Sequence, residues 1–308
     1  MEFKHIPVLL DESIEGLAIK PDGIYVDGTA GGAGHSLQIA KRLITGRLIA
    51  IDRDPDAVKV ARERLYGYNA TVVHGHFADV DKILSDLGTG KIDGMLLDLG
   101  VSSYQLDNAD RGFSYHTDAE LDMRMSREGL SARDVVNDYS YEELCRILFE
   151  YGEERYAKSI ASNIIKSRES KPIESTAELA QIIKESVPQR VRREKHPGKK
   201  RLQALRMEVN NEMGDLSAAL AKAFDALKIG GRLAVITFHS LEDRLVKQRF
   251  AEFARGCTCP PEFPVCVCGK TPRAKLITKK PIEPSEEEIK INNRAHSAKL
   301  RIVEKIKD

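Results

Sequence analysis

The sequence has no apolar run long enough to cross a lipid bilayer. Its longest runs, such as the four aliphatic residues 233–236, are far shorter than the about 20 residues that a spanning helix needs. Residues 1–20 carry charges throughout and contain no apolar segment typical of a secretory signal. We therefore expect a cytosolic protein.

An excess of one charge sign is also missing. The 308-residue chain has 48 Lys and Arg against 47 Asp and Glu, a formal net charge of +1 at pH 7. Nucleic-acid binding therefore has to come from a local basic cluster and not from the total charge. The hydrophobic and charged fractions, 42% and 31%, are typical of a folded chain and exclude a disordered one. The length is enough for about two domains.

Cysteine is scarce, but four of the five cysteines lie close together. Cys145 stands alone in an apolar helical pattern and is predicted to pack in a core. A reducing cytosol disfavours disulfides, and C-x-C…C-x-C supplies the four thiolates of a tetrahedral structural zinc site. The common spacing is C-x₂-C, so four free thiols in a loop remain the alternative. The cysteines concerned are Cys257, Cys259, Cys266 and Cys268.

Strand-like and helix-like segments alternate in the first hundred residues. Residues 24–27 form a strand-like run that enters a glycine-rich turn and a helix at 36–43. Further strands are predicted at 47–51, 70–73 and 92–97, with helices from Pro55 to about residue 65 and over 79–87. This alternation predicts a doubly wound, mostly parallel α/β sheet.

The alternation stops after the fourth strand. Residues 109–205 are charged, show helical spacing and include a capping box at Ser175 and Glu178. A helix is predicted at 213–227, then strand 232–237, helix 241–254 and strands 275–278 and 299–303. We predict a discontinuous domain of residues 1–108 and 206–308 with an inserted all-helical domain, 109–205, for substrate recognition.

Three acids follow consecutive strands: Asp27, Asp52 and Asp98. The carboxyl ends of parallel strands share one edge of the sheet, where such folds bind nucleotide-like ligands, so the acids should converge there. Asp52 comes about two dozen residues after the glycine-rich turn, where an acid binds a ribose diol. Both a nicotinamide dinucleotide and S-adenosylmethionine (SAM) fit this pattern.

The spacing of the turn favours SAM. A pyrophosphate requires G-x-G-x-x-G, and after Gly32 and Gly34 the third position is Leu37. SAM has no phosphate, and its partly cationic amino-acid end suits acids around the turn.

Several long motifs make the sequence resemble the MraW/RsmH family. They are HIPVL at 5–9, GGAGHS at 31–36, IDRD at 51–54, LDLGVSS at 97–103, RGF at 111–113, LDMRM at 121–125, QALR at 203–206 and FHSLEDR at 238–244. The resemblance covers nearly the whole chain. It implies the class I (Rossmann-like) SAM-dependent methyltransferase fold and methylation of N4 of a decoding-centre cytidine in 16S rRNA of the small ribosomal subunit.

The resemblance also implies a set of cofactor-binding residues. Asp52 would hold the ribose diol, Phe77 would flank the adenine, and amides of the turn would hold the carboxylate. A backbone contact tolerates Ala at position 33, where members carry Gly, and His35 is either a ligand contact or a packed helix-start residue. The positions are Ala33, Gly34, His35, Asp52, Phe77, Asp98 and Gln105.

Two residues are predicted to take part in catalysis. Asp98 or the carbonyls beside it would accept hydrogen bonds from the target amine, although Asp98 could instead be fully occupied by the cofactor. His239, just after the fifth strand, would take the released proton or serve as a structural histidine. The segment 104–125 is predicted either to cover the site or to be a plain interdomain loop.

A dense basic cluster spans residues 190–206 and is predicted to contact RNA phosphates; a solvated charged face is the alternative. Rival functions are methylation of another RNA, a nicotinamide-dependent oxidoreductase, and a non-enzymatic RNA-binding factor. The sequence gives no indication of oligomeric state. The RNA-binding residues predicted are Arg192, Arg193, Lys199, Lys200 and Arg201.

Overall fold

The computed structural model describes residues 7–102, 105–106, 108–114, 118–192, 199–257, 259–260, 263, 265 and 267–308. The chain forms two compact units. The first comprises residues 1–100 and 215–308, and the second comprises residues 101–214. The segment predicted as an insert, 109–205, lies inside the second unit.

One mixed sheet forms the centre of the first unit. Its spatial order is β3-β2-β1-β4-β5-β7-β6; β1 to β5 pair in parallel, whereas β7 runs antiparallel to both β5 and β6. This confirms the predicted α/β class with a mostly parallel sheet. The strands are β1 Ile24–Asp27, β2 Arg47–Asp52, β3 Ala70–His74, β4 Ile92–Asp98, β5 Leu227–Thr237, β6 Ala274–Leu276 and β7 Lys299–Lys305.

Helices occur in both units. Among the described residues, none of them combines the length and apolar character that crossing a membrane would require. The helices are α1 Leu10–Leu17, α2 Gly34–Ala40, α3 Pro55–Arg64, α4 Val80–Asp86, α5 Ala132–Asp138, α6 Tyr141–Glu150, α7 Ala157–Ser170, α8 Thr176–Glu185, α9 Gln189–Arg192, α10 Lys199–Val209, α11 Glu212–Ala226, α12 Ser240–Ala254 and α13 Glu286–Ile291.

Two apolar clusters lie on the two faces of the sheet. Along β2, Leu48 and Ala50 belong to one cluster, whereas Ile49 and Ile51 belong to the other. Successive side chains of a strand point to opposite faces, so a strand buried on both sides reads as a continuous apolar run. This double burial explains why the central strands were readable from the sequence.

The second unit has its own helical core, formed by buried residues of α5 to α8 and α10. Three of its helices start with a capping box, in which a serine accepts the amide of the third helical residue and that residue's carboxylate accepts the serine amide. The box predicted at Ser175 and Glu178 is thereby confirmed.

The structure departs from the predicted elements in three places. β5 begins at Leu227, which pairs with Ile92, and not at residue 232, because a register irregularity carries the strand across the Gly230–Gly231 pair. Helix α1 was not predicted, because its cap is Leu9 in the left-handed region with no side-chain bond. Helix α13 was not predicted because of its six-residue length.

Candidate active site

The glycine-rich turn after β1 is fixed to the neighbouring strands. The amide of Gly28 donates to Leu96 O of β4 at 2.9 Å, and the amide of Ala30 donates to Ile51 O of β2 at 2.9 Å. A Cβ at Gly28 would lie only 2.6 Å from Leu97 Cδ2. The turn is thus held close against the strand ends, with its backbone at the edge where the sheet receives ligands.

Asp27 is an internal support of this turn. It is 1% exposed, and its carboxylate accepts bonds from the Thr29 amide and the Ser36 hydroxyl. Burial raises its pKa, and the bonds from Ser36 and Thr29 oppose this shift. The side chain therefore links β1 to α2, and its negative charge acts on the crevice at a distance.

Asp52 ends β2 and supports the turn from the other side. Its Oδ2 accepts the Gly31 amide at 2.7 Å and its Oδ1 accepts the Asp54 amide at 2.8 Å. Burial raises the pKa of Asp52 to about 6, and the two amide bonds oppose this. Each carboxylate oxygen has a second lone pair, so the group can still accept bonds from a diol.

Asp98 ends β4 and is the least satisfied acid of the crevice. Its amide donates to Thr29 Oγ1 at 2.6 Å, but its buried Oδ1 accepts no hydrogen bond within the described part of the chain. Burial, together with the negative charges of Asp27 and Glu242, raises the pKa of Asp98 to about 8. A buried acceptor without a donor is costly, and a cationic ligand would remove that cost.

His35 connects Asp98 to the segment before α1. Its Nε2 lies 3.1 Å from Val8 O, and because a carbonyl can only accept, Nε2 carries the proton. Its Nδ1 then faces Asp98 Oδ2 at 3.6 Å, and the ring is 5% exposed. The geometry favours the packed helix-start role that the sequence left open for His35.

Phe77 lies in a short 3₁₀ turn after β3. The His76 and Phe77 rings are 4.3 Å apart, and Arg53 Nη1 lies 2.9 Å from His76 Nε2. Burial and the charge of Arg53 lower the pKa of His76 to about 4, so the ring is neutral at pH 7. The strand-end turn bearing Phe77 is thereby fixed beside Asp52.

His239 caps helix α12. Its Nδ1 accepts the Glu242 amide at 3.4 Å, and its Nε2 lies 3.0 Å from Glu242 Oε1. The basic nitrogen is thus directed at the helix's own backbone. The geometry supports the structural interpretation of His239 over the role of proton acceptor.

The model of the MraW methylase family matches residues 2–306 of the sequence. The chain belongs to this family. The resemblance seen in the motifs is thereby confirmed, and the chain is a methylase.

Curated relatives align over almost their whole length. Ribosomal RNA small subunit methyltransferase H of Clostridium botulinum (strain Kyoto / Type A2) is 56% identical over 309 residues, covering 99% of this chain and 100% of that protein. The protein of the same name from Lachnospira eligens is 55% identical, covering 99% of each. A solved rRNA methylase from Streptococcus thermophilus aligns with 98% of this chain and 99% of its own, at a TM-score of 0.44 and 14% identity.

In the second unit of the methylase, Gln105 closes a local turn. Its side-chain Oε1 accepts the backbone N–H of Ser102 at 3.0 Å, and its own backbone N–H donates to Ser102 Oγ at 3.2 Å. The side chain is 4% exposed. A cofactor contact by Gln105 stays a prediction.

The segment predicted as a cover for the site is tied within the second unit. Arg111 Nη2 donates to the carbonyls of Arg124 and Met125, at 2.8 and 3.0 Å. Asn210 accepts the Met125 amide at 2.9 Å and donates to Met123 O at 2.8 Å. Tyr104 and Tyr115, two aromatic residues of this segment, lie outside the described residues. Sequence reasoning missed Arg111 and Asn210 as anchors, although Arg111 falls in a family motif.

Gly112, beside Arg111, permits a test of this anchoring. Its φ is +67°, and a Cβ would lie 2.3 Å from Glu120 O, so we expect Gly112→Ala to destabilise the methylase by about 2–4 kcal/mol. Gly129 has a φ of +79° and no atom within 4 Å of its Cβ position, so Gly129→Ala should cost only about 1 kcal/mol. Urea unfolding of both variants measures the difference; equal losses would contradict the close approach of the backbone.

The basic cluster is only partly on the surface. Arg190 and Lys200 are exposed, and Lys200 Nζ lies 3.7 Å from the exposed Glu153. Arg201 is 8% exposed and forms an ion pair with the buried Glu154. A phosphate contact by Arg201 stays a prediction, and this burial and pairing leave little of its side chain accessible to RNA. Arg193 and the side chains of Arg192 and Lys199 lie outside what the structure describes.

Proposed function

We propose that this methylase transfers the methyl group of SAM to N4 of a decoding-centre cytidine in 16S rRNA of the small ribosomal subunit. Its place in the MraW methylase family and the name of its curated relatives, ribosomal RNA small subunit methyltransferase H, support the reaction and the class of RNA. The observation that carries the proposal is the buried Oδ1 of Asp98 beside the fixed turn, which has no hydrogen-bond donor in the part of the chain that the structure describes.

The strand-end residues fit an adenosine. Asp52 would accept the ribose hydroxyls through its remaining lone pairs, and the Phe77 ring would pack against the adenine. The pyrophosphate of a nicotinamide dinucleotide fits poorly here, because the Gly31 amide of the turn already donates to Asp52, whose carboxylate would repel a phosphate. The oxidoreductase alternative is therefore disfavoured.

Asp98 fits the cationic amino-acid end of the cofactor. The unsatisfied Oδ1 would accept from the ammonium group, and the positive charge would return the carboxyl to its ionised form. Amides at the start of α2, near Ala33 and Gly34, would hold the ligand carboxylate, since a helix N-terminus favours negative charge.

Catalysis would consist mainly of positioning. Bound SAM supplies an electrophilic methyl group on a sulfonium sulfur. The chain would hold the extruded cytosine in line with it and offer oxygen acceptors at 98–100 to the N–H groups as positive charge develops on nitrogen. Gly100, at a φ of +99°, turns the backbone directly after β4 and places these carbonyls at the strand end. With His239 engaged as a cap, these oxygens are our candidates for guiding the departing proton.

The deciding experiment is methyl transfer from labelled SAM to purified small ribosomal subunits, followed by mass mapping of the modified nucleotide. We expect one N4-methylated cytidine in the decoding centre. Label in another RNA, or in another nucleotide, would contradict the proposed target. Calorimetric titration with SAM and with NAD checks the cofactor, and binding of NAD alone would overturn the assignment.

Charge reversal tests the proposed RNA contact. We expect Arg190→Glu combined with Lys200→Glu to weaken RNA binding at least ~10-fold and to reduce the steepness of its salt dependence, because each phosphate contact releases counterions. Lys59→Glu combined with Arg62→Glu, at two exposed positions of α3, is the charge-matched control. Binding is measured by filter retention at several salt concentrations. If the dependence of affinity on salt concentration is unchanged in the double variant, the cluster is a solvated charged face that makes no phosphate contact.

A further inference from the structure

A cysteine-rich loop joins the end of α12 at Ala254 to the start of β6 at Ala274. The Sγ atoms of Cys257, Cys259 and Cys268 all lie within 4.8 Å of one another, and those of Cys257 and Cys268 are 3.7 Å apart. A disulfide would require about 2.05 Å, so no disulfide joins these three sulfurs. Three sulfurs facing one point can serve as ligands of a single metal ion.

Two backbone amides in the loop point at sulfur. The amide of Cys259 donates to Cys257 Sγ at 3.3 Å, and the amide of Val267 donates to Cys259 Sγ at 3.3 Å. A neutral thiol is a weak acceptor, whereas a thiolate gains from donors of this kind. Gly269, directly after Cys268, has a φ of +64°, which turns the chain back after the last cysteine. The backbone is thus arranged around the sulfurs.

The described apolar residues of the loop are mostly exposed and add little to hold it in place. Phe263, Val265 and Val267 are 51%, 69% and 72% exposed. Backbone bonding closes the loop at its base, where the Arg273 amide donates to Phe253 O at 3.0 Å. A short loop without a core of its own needs a covalent or metal cross-link to keep one conformation.

The base of the loop lies at the opposite end of the strands from Asp98. Ala274, the first residue of β6, pairs with Lys305 at the end of β7. The residue before it, Glu304, pairs with Arg232, which lies where β5 begins to run parallel to β4 without interruption, at the end of the strand away from Asp98. Helix α12 starts just after the other end of β5 and has 15 residues, which span about 22 Å. A metal bound by the loop would therefore be structural and would take no part in methyl transfer.

We propose that Cys257, Cys259 and Cys268 bind one Zn²⁺ ion as thiolates. Zinc fits because it prefers sulfur ligands in a tetrahedron and has no redox chemistry. Each thiol gives up its proton to solvent when it binds the metal. The sequence predicts Cys266, which lies outside the described residues, as the fourth ligand.

Metal analysis of the purified full-length chain tests the site directly. We expect about one zinc per chain in the native protein, loss of it in Cys257→Ser and Cys268→Ser, and full retention in Cys145→Ser, the matched control in the second unit. Calorimetric binding of SAM should be unchanged in all three, which separates failure of this proposal from failure of the proposed function. Zinc retained in the first two variants, or iron found in its place, would overturn the assignment.

A second measurement needs no variant. Removal of the metal from the native protein by a chelator should speed alkylation of the loop cysteines by iodoacetamide at least ~10-fold, and added Zn²⁺ should slow it again, while Cys145 responds to neither. Mass spectrometry assigns each labelled thiol. Equal labelling with and without zinc, or a Cys257–Cys268 disulfide in reducing buffer, would show that no metal site exists.

Discussion

Replacing Asp98 with asparagine is expected to weaken SAM binding by about 100-fold, roughly 3 kcal/mol, while making the unliganded protein more stable at pH 8. The first effect follows because asparagine keeps the shape of the side chain but cannot neutralise an ammonium group. The second follows because the buried Oδ1 of Asp98 accepts no hydrogen bond from the described residues, so ionisation of this carboxyl costs the folded protein free energy. A ligand-binding acid that destabilises the empty protein should show both effects.

The sign of the pH dependence is fixed by the direction of the shift. In the unfolded chain Asp98 ionises near its usual value of about 4, whereas in the folded protein its pKa is about 8. Between these values the unfolded state binds fewer protons, so this group lowers the free energy of unfolding as pH rises, by up to about 1.4 kcal/mol per pH unit. Asp98→Asn should remove that decline and gain a few kcal/mol over the native chain at pH 8.

Asp93, on the same strand, provides the matched control. Burial raises its pKa, but bonds from Lys228 and the Ile24 amide outweigh burial and hold the pKa of Asp93 below its usual value. Asp93→Asn should therefore destabilise the protein at pH 7 and leave SAM affinity unchanged. Calorimetry and urea unfolding from pH 5 to 8 measure both variants. Equal SAM affinity in Asp98→Asn and the native chain would remove Asp98 from the cofactor site.

Replacing Arg201 with methionine is expected to destabilise the second unit by about 3–5 kcal/mol, because it leaves the buried Glu154 without its partner. Lys200→Met, one residue earlier, should cost at most about 1 kcal/mol, because Lys200 and Glu153 are both exposed. For RNA affinity, measured in the folded fraction, the order should reverse. Lys200→Met should weaken binding, and Arg201→Met should not.

The double variant Glu154→Leu with Arg201→Met separates lost pairing from lost packing. An apolar pair of similar volume avoids the desolvation of both charges, so we expect it to recover most of the stability lost in the single variant. Urea denaturation at pH 7 gives the free energies of unfolding. A double variant no more stable than Arg201→Met would mean that the guanidinium makes further buried contacts. A stable Arg201→Met variant that binds RNA weakly would instead show that Arg201 contacts RNA.

The sequence indicated the crevice because strand ends are readable. Asp52 and Asp98 each follow a continuous apolar run, and parallel strands bring such positions to one edge. The hydrogen-bond partners of each acid could not be predicted from the sequence. Asp27 and Asp52 accept hydrogen bonds from amides of the turn, whereas Asp98 Oδ1 accepts none from the described residues, and that difference depends on the backbone geometry of the turn.

The basic cluster shows a different limit. Lys200 and Arg201 are adjacent in a charge run, yet one is exposed and the other buried. Their orientation depends on the rotational phase of α10 against a partner at Glu154, which the sequence alone does not give. The role of His239 was likewise undecided, because a helix cap and a general base need the same residue at the same strand end.

The interrupted sheet has a consequence for how the chain is made. During synthesis β4 is complete long before β5, its parallel neighbour, and the two are separated by roughly 130 residues. Until β5 emerges from the ribosome, one edge of β4 stays unpaired and exposes backbone groups that invite aggregation. A second unit that folds on its own meanwhile would shorten the effective tether between the strands and lower the entropy cost of closing the sheet. Nascent chains arrested once residue 214 has left the ribosome, but with β5 still inside it, should then hold a folded helical unit on an unfinished sheet.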